Sequence, residues 1–384
     1  AQGNTDENDI GDFYYSPPSG YLALCTANLP ETTISPNSAT QADDYFNTVI
    51  WTGDGSSPRD ITGVGFKPDW IWDKARNGSS NMSHVLYDST RGVNQILSTD
   101  QTSAESTLAT GTSAFLDDGF TVNAFSNASS QTRVAWNWKA NGGTTSSNSE
   151  GTTTSTVQAN TTAGFSIVTY AGNSSSRTVG HGLDSAPEWV IVKSRTDAER
   201  WAVFHTSISN GYIYLNDTFA LQTGNADERF GDSSSVVVPS STVVTLGANN
   251  SDVNENGDNY IMYCFHSVEG YSRFGSYTGN GSTDGTFVYL GFRPAFLLYK
   301  RTDSTGNWLI DDNKTQTFNP DSNYLLADSS DAEGDTTTNT AGHVFDMLSN
   351  GFKMRNTNSA RNASGANYIY IAFASAPFKY ANAR

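Results

Sequence analysis

A glycine, a proline and a lysine recur three times in this chain at fixed separations. Gly53 to Pro68, Gly172 to Pro187 and Gly279 to Pro294 are each 15 residues apart, and Pro68 to Lys74, Pro187 to Lys193 and Pro294 to Lys300 are each 6 apart. Such spacing marks one structural unit used three times, so the number of units follows from the repeat and not from the 384-residue length.

The residues after each proline alternate with period two. Trp70, Trp72 and Lys74 share one strand face, as do Trp189, Ile191, Lys193 and Phe296, Leu298, Lys300. That face is expected to look into the core. The other face carries Ile71 and Asp73, then Val190 and Val192, then Leu297 and Tyr299, so the later copies are apolar on both sides, as a central sandwich strand would be. Pro68, Pro187 and Pro294 stand where a missing N–H costs nothing, and Gly65, Gly182 and Gly291 turn the chain into the strand. A second alternating strand closes each copy, at Arg133 to Trp138, Tyr260 to Phe265 and Tyr368 to Phe373, with shorter strands such as His84 to Tyr87, Trp201 to Phe204 and Trp308 to Ile310 between. An entry strand recurs at Tyr45 to Trp51, Gly164 to Tyr170 and Gly270 to Tyr277.

The fold expected is all-β: three tandem β-sandwich modules, lectin- or jelly-roll-like, behind an extended N-terminal segment. The boundaries read as 1–44 for the N-terminal extension and linker, 45–140, 163–268 and 269–384 for the modules, and 141–162 for a linker between the first two. The tract from Asn141 to Thr162 is rich in Gly, Ser, Thr and Asn and lacks apolar periodicity, so it is expected to be a flexible tether. Thirty-four glycines, 12% aromatic and 16% charged residues fit short strands joined by turns; Ser103 to Thr107 is the one helix-like stretch. Residues Ala1 to Asp12 are polar, acidic and expected to be mobile. The first residue, alanine, is read as the start of a processed or excised chain.

A net charge of −17 argues against binding nucleic acid through its phosphates or docking on an anionic membrane. No stretch is apolar for long enough to be read as a membrane-spanning helix. Only Cys25 and Cys264 occur, which excludes a disulfide framework.

Phe13 to Pro30 contains an aromatic run, the Pro17-Pro18-Ser-Gly20 turn and the stretch ALCTANLP. This segment resembles the end of SPRY-type, concanavalin-like sandwich domains of phage tail and appendage proteins. GFKPDWIWDKAR, HVLYDSTRG, FLDDGFTV and VAWNWKA in the first copy, with NYIYIAFASAPFKYANAR at the end, are similar to repeats in structural proteins of tailed, especially marine, bacteriophages. The resemblance covers residues 45–384 and implies a virion or appendage component; it carries no catalytic residues. The later copies depart from HVLYDSTRG, with WAVFHTSIS and WLIDDNKTQ in its place.

Asp252, Asn254, Asn256 and Asp258 match the first half of a calcium loop, with alternating oxygens that can converge on a hard cation. Tyr263 stands where the bidentate acid belongs, so a polar hairpin before the closing strand is the competing reading. No other cofactor is expected. Asp328 to Asp335 is oxygen-rich but aligns with Ser98 to Glu105 and reads as a solvated turn. The adjacent acids Asp117-Asp118 and Asp311-Asp312 do not suit glycoside hydrolysis, because neighbours on a strand point to opposite faces. His84, His181, His205, His266 and His343 show no ligand spacing, and no nucleophile elbow or phosphate loop is present. Among aromatics off the repeat skeleton, Tyr14, Tyr15, Tyr212 and Tyr214 are the ones placed for ligand contact.

The function expected is a non-enzymatic virion structural protein of a tail, fibre or appendage, forming homo-oligomers and contacting other virion proteins and host-surface glycans. The alternative is a secreted bacterial adhesin or extracellular-filament subunit with carbohydrate-binding modules.

Overall fold

The computed structural model describes residues 3–23, 33–34, 38–78, 82–335 and 344–376. Ala1–Thr33 form one compact unit and Ile34–Arg384 another.

In the first unit the buried Asp6 organises the chain. Its carboxylate accepts the backbone N–H groups of Asn8 (2.9 Å), Ile10 (3.0 Å) and Ala23 (2.7 Å), and Glu7 accepts from Ser19 Oγ and the N–H of Gly20. The acidic start expected to be mobile is therefore folded around two carboxylates that gather backbone donors. Asn4 and Phe13 form a single antiparallel bridge, and Tyr14, Tyr15 and Tyr21 are exposed. Cys25 and most of the ALCTANLP run lie outside the described residues, as do His343 and the last residues of the phage-like ending.

The second unit is all-β, as expected. The first copy supplies β1 (Phe46–Thr52), β2 (Arg59–Thr62), β3 (Trp70–Ala75), β4 (Val85–Asp88), β5 (Gln95–Ile96), β6 (Ser106–Thr107), β7 (Thr112–Leu116), β8 (Gly119–Val122) and β9 (Thr132–Trp138). The second supplies β10 (Ser146–Asn148), β11 (Ser155–Asn160), β12 (Phe165–Ala171), β13 (Arg177–Gly180), β14 (Trp189–Ser194), β15 (Ala202–His205), β16 (Ile213–Tyr214), β17 (Val243–Leu246) and β18 (Asn259–Phe265). The third supplies β19 (Ser272–Thr278), β20 (Phe287–Tyr289), β21 (Pro294–Arg301), β22 (Trp308–Asp312), β23 (Asn323–Leu326), β24 (Gly334–Asp335), β25 (Phe345–Leu348), β26 (Gly351–Met354) and β27 (Asn367–Ala374).

Each copy builds one large antiparallel sheet in the same order: entry strand, closing strand, signature strand, next strand. These are β1-β9-β3-β4, β12-β18-β14-β15 and β19-β27-β21-β22, extended by further strands in the second and third sheets. A small sheet backs each one: β2-β8-β7, β13-β17 and β20-β26-β25. The helix-like stretch at Ser103 to Thr107 instead ends in β6, paired with β5, because Thr107 and Gln95 face each other across a two-strand ribbon.

The signature strands are buried on both faces, and the two faces meet different partners. Ile71, Val85, Tyr87 and Ala135 pack against Ile61, Phe120 and Val122 of the small sheet, and Val190, Val192 and Met262 pack likewise against Val179 and Val244. The opposite faces of all three large sheets share one core that includes Trp70, Trp136, Trp189, Tyr263, Phe296 and Phe373. Ring contacts cross between copies: Trp70–Tyr263 at 4.7 Å, Phe46–Phe373 at 5.3 Å, Trp136–Phe296 at 5.6 Å and Phe265–Phe373 at 5.9 Å between centroids. Each such aromatic removes about 150–250 Å² of surface from water, so this seam is a major source of cohesion.

Residues 141–162 are not a tether. Ser146–Asn148 and Ser155–Asn160 are β10 and β11, which add to the outer edge of β12 with Val157 opposite Val168 and Asn160 opposite Phe165. A polar tract can do this because the ladder satisfies its backbone groups while few side chains need burial. The buried Gln158 amide also ties the tract to the first copy, donating to Ser89 Oγ (2.9 Å) and Thr90 Oγ1 (2.8 Å).

The repeated glycine has a steric cause. A Cβ on Gly53, Gly172 or Gly279 would lie 2.0, 2.0 or 2.3 Å from the carbonyl oxygen of Ala128, Glu255 or Ala363. Beside each contact an asparagine, Asn127, Asn254 or Asn362, folds its side chain into the same turn; Asn254 Oδ1 accepts from the N–H of Asn173, and Asn362 Oδ1 from that of Asn280.

Candidate functional site

Lys74 and Lys300, with Arg76 and Arg195, belong to a latch between copies, whereas Lys193 Nζ donates to the carbonyls of Ser194 and Asp197 of its own copy. Lys74 Nζ donates to the carbonyls of Met82, Asp331 (2.8 Å) and Ser330 (3.2 Å), and Arg76 grips Glu333 through Nε (3.0 Å) and a terminal nitrogen (2.8 Å). Arg195 holds Glu105 of the first copy in the same bidentate way at 2.9 and 2.8 Å. Backbone bonds repeat beside them: Glu333 N–H to Arg76 O, Glu105 N–H to Arg195 O, and Leu221 N–H to Thr302 O. At this third contact Leu221 replaces the acid, and Arg301 pairs with Asp303 of its own turn.

The rings that open each fourth strand join the same latch. Trp201 Nε1 donates to the carbonyls of Ser98 and Gln101, Trp308 Nε1 to Tyr214 O (2.7 Å), and His84 Nε2 to Leu326 O (2.7 Å). The first copy thus reaches onto the second, the second onto the third, and the third back onto the first. The oxygen-rich segments Ser98 to Glu105 and Asp328 to Asp335, which read as solvated turns, contain these latch loops. Their acids were legible in the sequence; their partners, up to 257 positions away, were not.

Burial draws each repeated lysine, Lys74, Lys193 and Lys300, down to about 8, a shift the carboxylates around them oppose. The histidines serve the frame too. His84 Nδ1 accepts from Trp72 Nε1 (2.8 Å), and His205 places Nε2 on Tyr370 O and accepts the N–H of Ser207 on Nδ1; burial holds both rings below the usual histidine range, His205 at about 4.

The expected calcium loop is occupied by protein. Asp252 accepts from Tyr214 O–H (2.9 Å) and Arg229 Nε (2.9 Å), Asn254 donates its amide to the carbonyls of Ser175 and Gly247, and Asp258 accepts from Ser194 Oγ. Asn256 is exposed, with its backbone N–H on Ser174 Oγ. A guanidinium 2.7 Å from Asp252 already supplies the positive charge. Among the described residues no group of three or more His, Cys, Asp or Glu is placed to hold a metal ion. Tyr212 and Tyr214, expected to meet a ligand, are buried, with Arg229 over the Tyr212 ring at 4.2 Å; Tyr14 and Tyr15 are exposed and meet edge to face at 4.7 Å.

Asp311 and Asp312 do point apart. Asp311 accepts from Tyr299 O–H (2.6 Å) and Arg361 (3.0 Å) on the small-sheet side, and Asp312 from Trp136 Nε1 (3.1 Å) in the shared core. Nearby Asp321 is pushed up to about 9, first by burial and then by the charge of Asp311, with Arg361 opposing. Its folded value lies above the unfolded one, so the protonated acid favours the fold at low pH and that contribution is lost as pH rises from about 4 toward 9. Asp321→Asn is therefore expected to match the wild type near pH 4 and exceed it in melting temperature at pH 8–9; calorimetry across that range checks it.

A polar groove of about 250 Å³ runs beside Thr154, Thr156, Thr169, Arg195 and Asn259. It presents hydroxyls and an arginine already held by Glu105, with no carboxylate pair and no nucleophile beside a base.

The more distinctive surface lies on the outer face of the small third sheet. Phe287 and Tyr289 are 44% and 58% exposed, with Val288 between them pointing inward. Register places Phe287 beside Lys353 and Asp346, and Tyr289 beside Gly351 and Leu348. Sequence reasoning missed these two aromatics because a three-residue strand is too short to show which alternating side faces water.

Residues 41–377 match the family model described as Domain of unknown function (DUF7483), a span that takes in all three copies. No curated protein matches the chain.

Proposed function

The chain belongs to the DUF7483 family, and we propose that it is a non-enzymatic structural component of a virion, in a tail, fibre or appendage, that assembles with copies of itself. Support comes from an asymmetry between sheet edges. In the second copy β11 and β10 cover the outer side of the entry strand β12; in the first, the equivalent β1 ends its sheet. Bonds from Tyr45 and Gly53 to the residues flanking β9 set the alternation, so Phe46, Thr48 and Ile50 turn their backbone groups away from β9; Phe46 and Thr48 are buried and Asn47 Oδ1 takes the Thr48 N–H, while Ile50 is 45% exposed. The part of this edge around Ile50, on a scaffold that accepts two further strands elsewhere, is a short acceptor for strand addition. The donor in this reading is the N-terminal segment of a neighbouring copy, whose Tyr14, Tyr15, Tyr21 and Leu22 are exposed.

Light scattering of the full chain and of a chain lacking residues 1–31 tests the assembly. Loss of the oligomer with the remaining fold intact is expected; an unchanged oligomer, or collapse of the first sheet pair, contradicts it. Antibody labelling of intact particles tests the location. A secreted bacterial adhesin or filament subunit with carbohydrate-binding modules is the second reading, favoured by the exposed rings on β20, and labelled cell-surface filaments in place of particles would select it.

A further inference from the structure

We propose that the outer face of the β20-β26-β25 sheet binds a neutral glycan, with Phe287 and Tyr289 as stacking platforms. This names the site behind the glycan contact in the preceding reading and rests on it.

The internal repeat provides the comparison. In the first copy, β2 pairs with β8 as β20 pairs with β26: Ile61 opposite Phe120 corresponds to Val288 opposite Phe352, both pointing inward. The outward positions corresponding to Phe287 and Tyr289 are Asp60 and Thr62. In the second copy the outward residues beside Val179 are Thr178 and Gly180. The scaffold therefore folds without aromatic rings here, and the third copy alone exposes two of them. Phe318, also exposed, precedes Asn319, whose side chain donates to Met347 O (2.8 Å) and accepts from Met347 N–H (2.9 Å) at the other edge of the sheet.

The surroundings select the ligand class. Residues two apart on a strand stand about 6.8 Å apart on one side, so the rings offer two successive apolar platforms for the C–H faces of pyranose units. Gly351 has no side chain opposite Tyr289, and the Tyr289 ring reaches along its own strand to Gly291. The Tyr289 hydroxyl has no hydrogen-bond partner among the described residues and is available to a sugar hydroxyl. Charged neighbours are paired, Lys353 with Asp284 at 2.5 Å and Arg355 with Asp346 at 3.0 Å, so the face offers polar contacts without a free charge for an ionic ligand. A neutral hexose polymer fits apolar platforms rimmed by paired ions better than a sulfated or uronic acid chain does.

Affinity electrophoresis of the full chain through gels containing hydroxyethylcellulose, dextran or galactomannan provides the test. Retardation by at least one polymer is expected. The double variant Phe287→Asp/Tyr289→Thr, which installs the side chains of the first copy, should weaken that binding by at least about tenfold, since truncated aromatic anchors dominate such contacts, and leave the melting temperature unchanged. No retardation by any of the three, or equal retardation of the variant, overturns the proposal. Particle labelling reads the location separately: labelled particles without retardation sink the glycan site alone, and retardation without labelled particles sinks the virion reading alone.

Discussion

Trp70→Ala is expected to lower the melting temperature of residues 34–384 as one body. Trp70 is fully buried, with ring centroids 4.6 Å from Trp138, 4.7 Å from Tyr263, 5.7 Å from Phe265 and 5.8 Å from Phe165, so it touches its own sheet and that of the next copy. Truncating a core tryptophan costs about 3–5 kcal/mol through lost transfer energy and the cavity left behind. The cavity would open on the shared core, so the loss falls on all three sheets. Calorimetry should show a single transition that shifts down intact. Three resolved transitions in the wild type, with only the first responding, would show that the copies fold independently.

Arg361→Met should cost a similar amount by a different route. Arg361 and Asp311 are fully buried and 3.0 Å apart, and the guanidinium also stands over the rings of Tyr299 (5.1 Å) and Phe345 (5.2 Å). Methionine replaces much of the apolar bulk but leaves the carboxylate of Asp311 with only Tyr299 as a polar partner. Breaking one side of a buried pair costs about 3–5 kcal/mol, whereas replacing both sides by apolar groups is often neutral. The double variant Arg361→Met/Asp311→Leu is thus expected to recover most of the loss seen in chemical denaturation of the single one. A double variant as unstable as Arg361→Met would place the cost in packing and not in charge.

Much of this architecture was legible in residue spacing. The signature, closing and entry strands lie where alternation put them, because period two and the glycine–proline punctuation are local properties. The partner of each face was not legible: Trp70 and Trp189 read as core residues, yet nothing local says that the core belongs to all three copies. Polar composition misled at Asn141 to Thr162, where Val157, Gln158 and a backbone ladder are enough to dock the tract. The calcium pattern at Asp252 failed for the same reason, since Arg229 and Tyr214, which occupy its carboxylate, come from 23 and 38 positions earlier.

The return of the third copy onto the first has a consequence on the ribosome. Arg76 and Lys74 emerge early, but their partners around Glu333 follow 257 residues later. At about 5–20 residues per second that is a wait of roughly 13–50 s, during which Lys74 and Arg76 lack the partners that will cap them. The rings of the second copy, Phe165, Tyr263 and Phe265, reach Trp70 before that, so the aromatic seam can begin to close while the latch around Glu333 is still to be made.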